Sequence, residues 1–123
     1  CSQKNRPFLL KLVIKRSNTM EKSLVAFYIT FPNKDTAENI CNLLIREKLI
    51  ACSNTIDIQA AYWWKETIQQ EGEILVYAKS CAHLVEAITN RIEALHPYEV
   101  PCIIHWPIAA NPAYTNWVIS TVQ

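Results

Sequence analysis

Glycine is almost missing from this chain: Gly72 is the only one in 123 residues. Neither GxGxxG nor GxxxxGK can be written with a single glycine, which excludes the turns that cradle nucleotide phosphates. Charge is sparse at 19%, below the usual quarter, while half of the residues are hydrophobic. That balance builds a core and is not a disordered composition. Long apolar runs are absent. Residues 8–14 are the nearest approach, and Lys11 breaks them, far short of the ~20 residues of a membrane span. No apolar leader with a small-residue cleavage site is visible either. The cysteines at 1, 41, 52, 81 and 102 contain no CxxC pair, so zinc-site spacing is missing. An odd, unpatterned set reads as free thiols in a reducing compartment, and the expected location is the cytoplasm.

The charge that is present is unevenly spread. Residues 1–23 hold six Lys/Arg against Glu21 alone; residues 24–123 hold the other six against ten Asp/Glu. The mildly acidic part would be repelled by a phosphate backbone, so neither nucleic acid nor membrane is an expected partner. The length fits one domain. We expect it to span 20–123, starting near Met20, with 1–19 a non-domain extension.

Residues 24–31 are β-branched and aromatic with almost no polarity, the pattern of a strand buried on both faces. Pro32 stops it, and Asn33 or Asp35 can cap a helix. Ala37, Ile40, Cys41, Leu44 and Ile45 then fall on one helical face. Residues 49–64 switch to period two. Ile56, Ile58, Ala60, Tyr62 and Trp64 oppose Thr55, Asp57, Gln59 and Ala61, which predicts a long half-buried strand. The polar run from Lys65 to Gly72 reads as a turn and 73–79 as the returning strand. A helix opening at Ser80–His83 carries Leu84, Val85, Ile88, Ile92 and Leu95, and Pro97 ends it. Residues 100–106 form a short strand. Asn111-Pro112 opens a last helix bearing Tyr114, Trp117 and Val118.

The order β-α-β-β-α-β plus a helix predicts an α+β fold. It is the ferredoxin-like split βαβ, a four-stranded antiparallel sheet with two helices on one face. Four Trp and five Tyr exceed what one helix layer hides, so the uncovered sheet predicts a homo-oligomer.

Several strings carry a resemblance. They are ACSNTI at 51–56, YWWKETIQQEGEILVYAKS at 62–80, HPYEVP at 96–101 and YTNW at 114–117. Over about 24–122 the chain resembles the CutA divalent-cation tolerance family. The resemblance implies a PII-like variant of the fold, a compact homotrimer, a cytoplasmic location and a link to tolerance of copper and other divalent metals. It implies no catalysed reaction. A relative with described copper contacts uses a Cys near the end of the first strand and two successive His before the proline. Here those positions are Ile29, Leu95 and His96, so weaker copper binding is expected. The Gly-Lys of the family's hairpin turn is Glu66-Thr67.

Each candidate has two readings. His96 suits copper or zinc, or it caps a helix C-terminus. Cys52 could add a thiolate ligand, or pack as a small hydrophobe. Glu99 could add an oxygen ligand, or form an ion pair. Trp63, Trp64, Tyr98 and Trp117 could cage a ligand, or anchor an interface. Lys79 is expected to pair with a carboxylate such as Glu73. No Ser/His/Asp or Cys/His motif marks a nucleophile, so no enzyme is expected. The functional expectation is a trimer acting in divalent-cation tolerance by metal binding or signalling, with copper or another divalent cation bound but no obligatory cofactor. The alternative is a PII-like scaffold or small-molecule sensor without a metal role. A protein partner is not identified.

Overall fold

The computed structural model describes residues 23–123; the expected start at Met20 and the extension 1–19 lie outside the described residues. The apolar run Leu24–Phe31 forms β1. Its lack of a polar side follows from its place. The sheet order is β2-β3-β1-β4, so β1 is flanked antiparallel by β3 and β4. Seven of its eight residues are buried. Phe27, Ile29 and Phe31 join Val76 and Ala78 of β3 in the core. The α+β split βαβ expectation holds.

Helix α1 (Lys34–Arg46) begins where Asn33 accepts the Thr36 N–H at 2.8 Å. Ala37, Ile40, Cys41 and Leu44 face the core; Ile45, expected beside them, is exposed. The helix closes as a Schellman turn. The Leu49 N–H reaches the Leu44 carbonyl and the Lys48 N–H that of Ile45, both at 3.0 Å. Lys48 takes the left-handed position at φ 59° that such turns usually give to glycine.

Strands β2 (Cys52–Trp64) and β3 (Thr67–Cys81) pair along their whole shared length. The turn between them is only Lys65-Glu66, at φ 49° and 69°, the two-residue type I′ form. The wider turn expected at Lys65–Gly72 is therefore corrected. Gly72 pairs with Gln59 inside the ladder, and its polar neighbours lie on an exposed ribbon. That ribbon outruns the sheet, because β1 pairs with β3 only from Ile74 to Cys81. Residues 58–64 and 67–73 have no third strand, and β2, expected half-buried, is mostly exposed.

The second helix starts later than expected. β3 runs on to Cys81, a short 3₁₀ turn spans Ala82–Leu84, and α2 is Val85–Leu95. Ser80, placed in the helix by its polarity, is a strand residue whose hydroxyl donates to the Leu49 carbonyl at 2.5 Å. Pro97 ends α2 as expected, with His96 extended at φ −72°, ψ 136°. β4 is Ile103–Ile108, two residues beyond the expected end. It includes Pro107, which is tolerated because β4 is an edge strand. Helix α3 (Pro112–Thr121) has Pro at its start and buries Val118. Its end is tied down by the Gln123 N–H on the Lys48 carbonyl at 2.9 Å.

A non-glycine residue at positive φ costs about 1–2 kcal/mol, and the greater freedom of glycine in the unfolded chain returns about 0.5–1 kcal/mol of that. Lys48→Gly and Glu66→Gly should each stabilise the fold by the difference, roughly 0.5–1 kcal/mol. Urea unfolding midpoints of the two variants against wild type check it.

Candidate ligand cleft

Pro97 throws the chain out of α2, and residues 97–102 cross the end of the sheet before β4 begins. With the projecting β2–β3 ribbon, they line a cleft of about 830 Å³. Tyr28, Thr30 and Glu73 belong to its sheet side, Tyr62, Trp63 and Trp64 to the ribbon, and Tyr98, Glu99 and Cys102 to the loop.

His96 holds the loop in place. The pairing of β1 with β4 stops at Ile29–Ile103, so the next carbonyl, that of Thr30, has no ladder partner on that side. His96 Nε2 fills the gap at 2.7 Å. Its Nδ1 accepts the Tyr98 N–H at 3.1 Å. A nitrogen that accepts an N–H is bare, so Nε2 carries the proton and the ring is neutral. The imidazole stacks on Phe31 at 4.7 Å and 17° and meets the Tyr98 ring at 4.8 Å. Burial pushes its pKa below the usual value, outweighing the Thr30 carbonyl and the Glu73 charge that act the other way.

Tyr98 in turn donates its hydroxyl to Glu73, a carboxylate only 8% exposed. Tyr62 does the same to Glu71. Both phenols resist ionisation. Tyr62 is pushed up to about 12, mainly by its hydrogen bond to Glu71, and Tyr98 is raised by burial and then by Glu73. The Cys102 thiol is raised by burial and by the same carboxylate, so it is not a poised nucleophile. The lining contains Glu73 and Glu99 but no Lys, Arg or His.

Of the residues singled out from the sequence, Trp63, Trp64, Tyr98 and Glu99 come together here. Trp117 does not; it sits on α3 beside Tyr114 at 5.6 Å and packs against the core. Cys52 is distant as well. It pairs with Lys79 on β3, and its Sγ lies 3.1 Å from the Tyr114 hydroxyl. His96 bonds Thr30, which pairs with Leu75. Four residues of strand, about 13 Å, separate those two levels, so one ion cannot bridge His96 and Cys52 through bonds of about 2 Å. Among the described residues no group of three or more His, Cys, Asp or Glu is placed to hold a metal. The expected Lys79–Glu73 ion pair is also corrected: Lys79 donates to Asn54, and Glu73 is six residues away along the same strand. Glu73, Tyr62 and Tyr28 were not singled out as site residues from the sequence. The one available signal was a carboxylate opening an otherwise apolar strand.

Fold and cleft together define a ferredoxin-like α+β domain with an open, carboxylate-and-aromatic pocket at one sheet end. The comparison with known proteins narrows this. Residues 25–121 match the family model of the CutA1 divalent ion tolerance protein. The chain is 37% identical over 101 residues to the divalent-cation tolerance protein CutA of Pyrococcus horikoshii, covering 81% of this chain and 99% of that one. It is 38% identical over 120 residues to a CutA homolog of Xenopus laevis, covering 91% and 80%. Crystal structures of CutA1 from Pyrococcus horikoshii (35% identity, 80% and 98% covered) and Oryza sativa (33%, 82% and 94%) each superpose with a TM-score of 0.79. The chain belongs to the CutA1 divalent ion tolerance family.

A ring whose folded pKa is depressed binds its proton less readily than in the unfolded chain, so stability falls as pH drops below about 6.5, the unfolded value. Between pH 7.5 and 5.5 the urea midpoint of the wild type should decrease. In His96→Gln the decrease should be smaller, which paired titrations of unfolding at the two pH values will show.

Proposed function

We propose that this chain serves divalent-cation tolerance as a cytoplasmic homotrimer that works by binding and signalling, with no catalytic step. The observation that carries the assembly is the ribbon that outruns its sheet. A two-stranded hairpin is marginal alone in water, yet this one displays Trp63 at 71% and Ile68 at 62% exposure, and Ile56 at its base on β2 is 51% exposed. The β4 edge at the other side of the sheet displays Ile104. Contact between two different surfaces of identical chains is heterologous, and it forms a ring where the rotation between neighbours closes. The count of three follows the family resemblance. The cytoplasmic location likewise follows the family resemblance. The non-catalytic reading rests on the raised Cys102 thiol and on His96, whose two ring nitrogens are both engaged.

Those engaged nitrogens also favour signalling over metal capture at His96. Copper on Nδ1 would first displace the Tyr98 N–H, a bond of about 1 kcal/mol, a penalty of roughly fivefold in affinity. Ile29 and Leu95 cannot assist. Ile29 is buried in the core and Leu95 packs against it.

Sedimentation equilibrium at micromolar concentration should give three times the chain mass. Ile56→Glu with Ile68→Glu, both at positions exposed in the single chain, should shift it to the monomer with far-UV circular dichroism retained. A monomeric wild type would remove the assembly from the proposal. For the metal, calorimetric titration with copper should give the same affinity in wild type and His96→Ala. A tenfold loss in the variant would instead assign copper to that ring.

A further inference from the structure

The cleft has a composition that selects its ligand. Its volume, about 830 Å³, lies in the range of small-molecule sites. Its charged lining residues are Glu73 and Glu99, with no Lys, Arg or His among them. An anion would meet repulsion from Glu73, which is almost fully buried and therefore little screened by solvent. A divalent metal needs several oxygen or nitrogen ligands converging on one point, and among the described residues no group of three or more His, Cys, Asp or Glu does so. Five of the other lining residues are aromatic: Tyr28, Tyr62, Trp63, Trp64 and Tyr98. Ring faces attract cations, and they do so best when the cation is large and weakly hydrated.

The chain itself provides a second, independent observation. The ammonium of Lys65 stands 5.7 Å from the centre of the Trp64 ring, at the rim of the same wall. One of these rings thus already receives an ammonium group. Tyr98 donates to Glu73 and so orients that carboxylate in the cleft wall.

The geometry points to this cleft as a binding site for an organic ammonium ion, its charge set against Glu73 and its alkyl body against the rings of Tyr62, Trp63 and Tyr98. This inference goes beyond the proposed function, and because Trp63 lies on the same exposed ribbon that carries the assembly, the cleft is tested in the native assembly. It supplies the signalling route with a chemical class of ligand that the name of the family does not contain.

Choline chloride and its neutral carbon isostere, 3,3-dimethyl-1-butanol, are titrated by calorimetry into the full chain in its native assembly. Sodium chloride holds the ionic strength constant. Choline should bind at one site per chain, and the isostere at least tenfold more weakly. Glu73→Gln should weaken choline at least tenfold. Trp63→Ala, which alters a mostly exposed side chain and leaves the core intact, should weaken it at least threefold and serves if Glu73→Gln does not fold. Equal binding of choline and the isostere would overturn the inference. So would unchanged affinity in both variants, or displacement of choline by equimolar magnesium, which would make this an inorganic-cation site. Sedimentation of each sample in parallel separates a loss of the cleft from a loss of the assembly.

Discussion

A neutral imidazole buried at the end of β1 joins the two halves of the candidate site. Strand β4 stops pairing one residue too early to satisfy the Thr30 carbonyl, and His96 supplies the missing donor. Its other nitrogen then receives the Tyr98 N–H, which fixes where the loop turns and where the Tyr98 hydroxyl meets Glu73. Removing the ring would orphan a carbonyl and release the loop together, because one group serves both ends. The ring must be uncharged for this to work. A proton on Nδ1 would face a backbone donor instead of accepting from it. The residue that looks most like a metal ligand in the sequence is therefore committed to holding the cleft open.

The second constraint is a mismatch of strand lengths. β3 has 15 residues, but β1 pairs with only eight of them, and the excess leaves as a two-stranded ribbon. That excess gives the cleft one wall, and it exposes apolar side chains that a single chain has no means of covering. Cleft and sticky surface are thus one geometric fact seen from two sides. The ribbon is held by ladder hydrogen bonds and a tight turn, not by burial. A chain with one glycine places Lys65 and Glu66 at positive φ there, and Lys48 in the same conformation after α1. Charged residues fill positions that sterics reserve for glycine.

Element types were legible in the sequence wherever periodicity met burial. β1, α1 and the end of α2 follow from unbroken apolar runs, helical spacing and a proline. The errors share a cause: polarity was read as a turn. Gln69, Gln70 and Glu71 are polar because their ribbon has no third strand, and Ser80 is polar because it bonds the Leu49 carbonyl within a strand. Neither reason is local. Aromatic excess did locate three of the cleft residues, Trp63, Trp64 and Tyr98, yet it also named Trp117, since composition does not say which end of the sheet a helix packs against. Glu73 escaped because its partner, Tyr98, is 25 residues away in the chain. A salt bridge to Lys79 looked equally good on paper, until the strand geometry put six residues between them.

Family and site separate at this point. Identity near 35% with TM-scores of 0.79 shows that the framework tolerates wide substitution. The framework needs apolar bulk in the right period, and Ile29 and Leu95 supply it. Chemistry is less forgiving, because a ligand set fails when its members are replaced one by one. Here a buried isoleucine and a core-packed leucine stand where soft ligands would, and the remaining histidine has both nitrogens engaged. What the chain does retain in one place is a low-exposure carboxylate, two protonated phenols and tryptophan faces around an open volume. Those groups converge without any metal, and their shared chemistry is attraction to a diffuse positive charge.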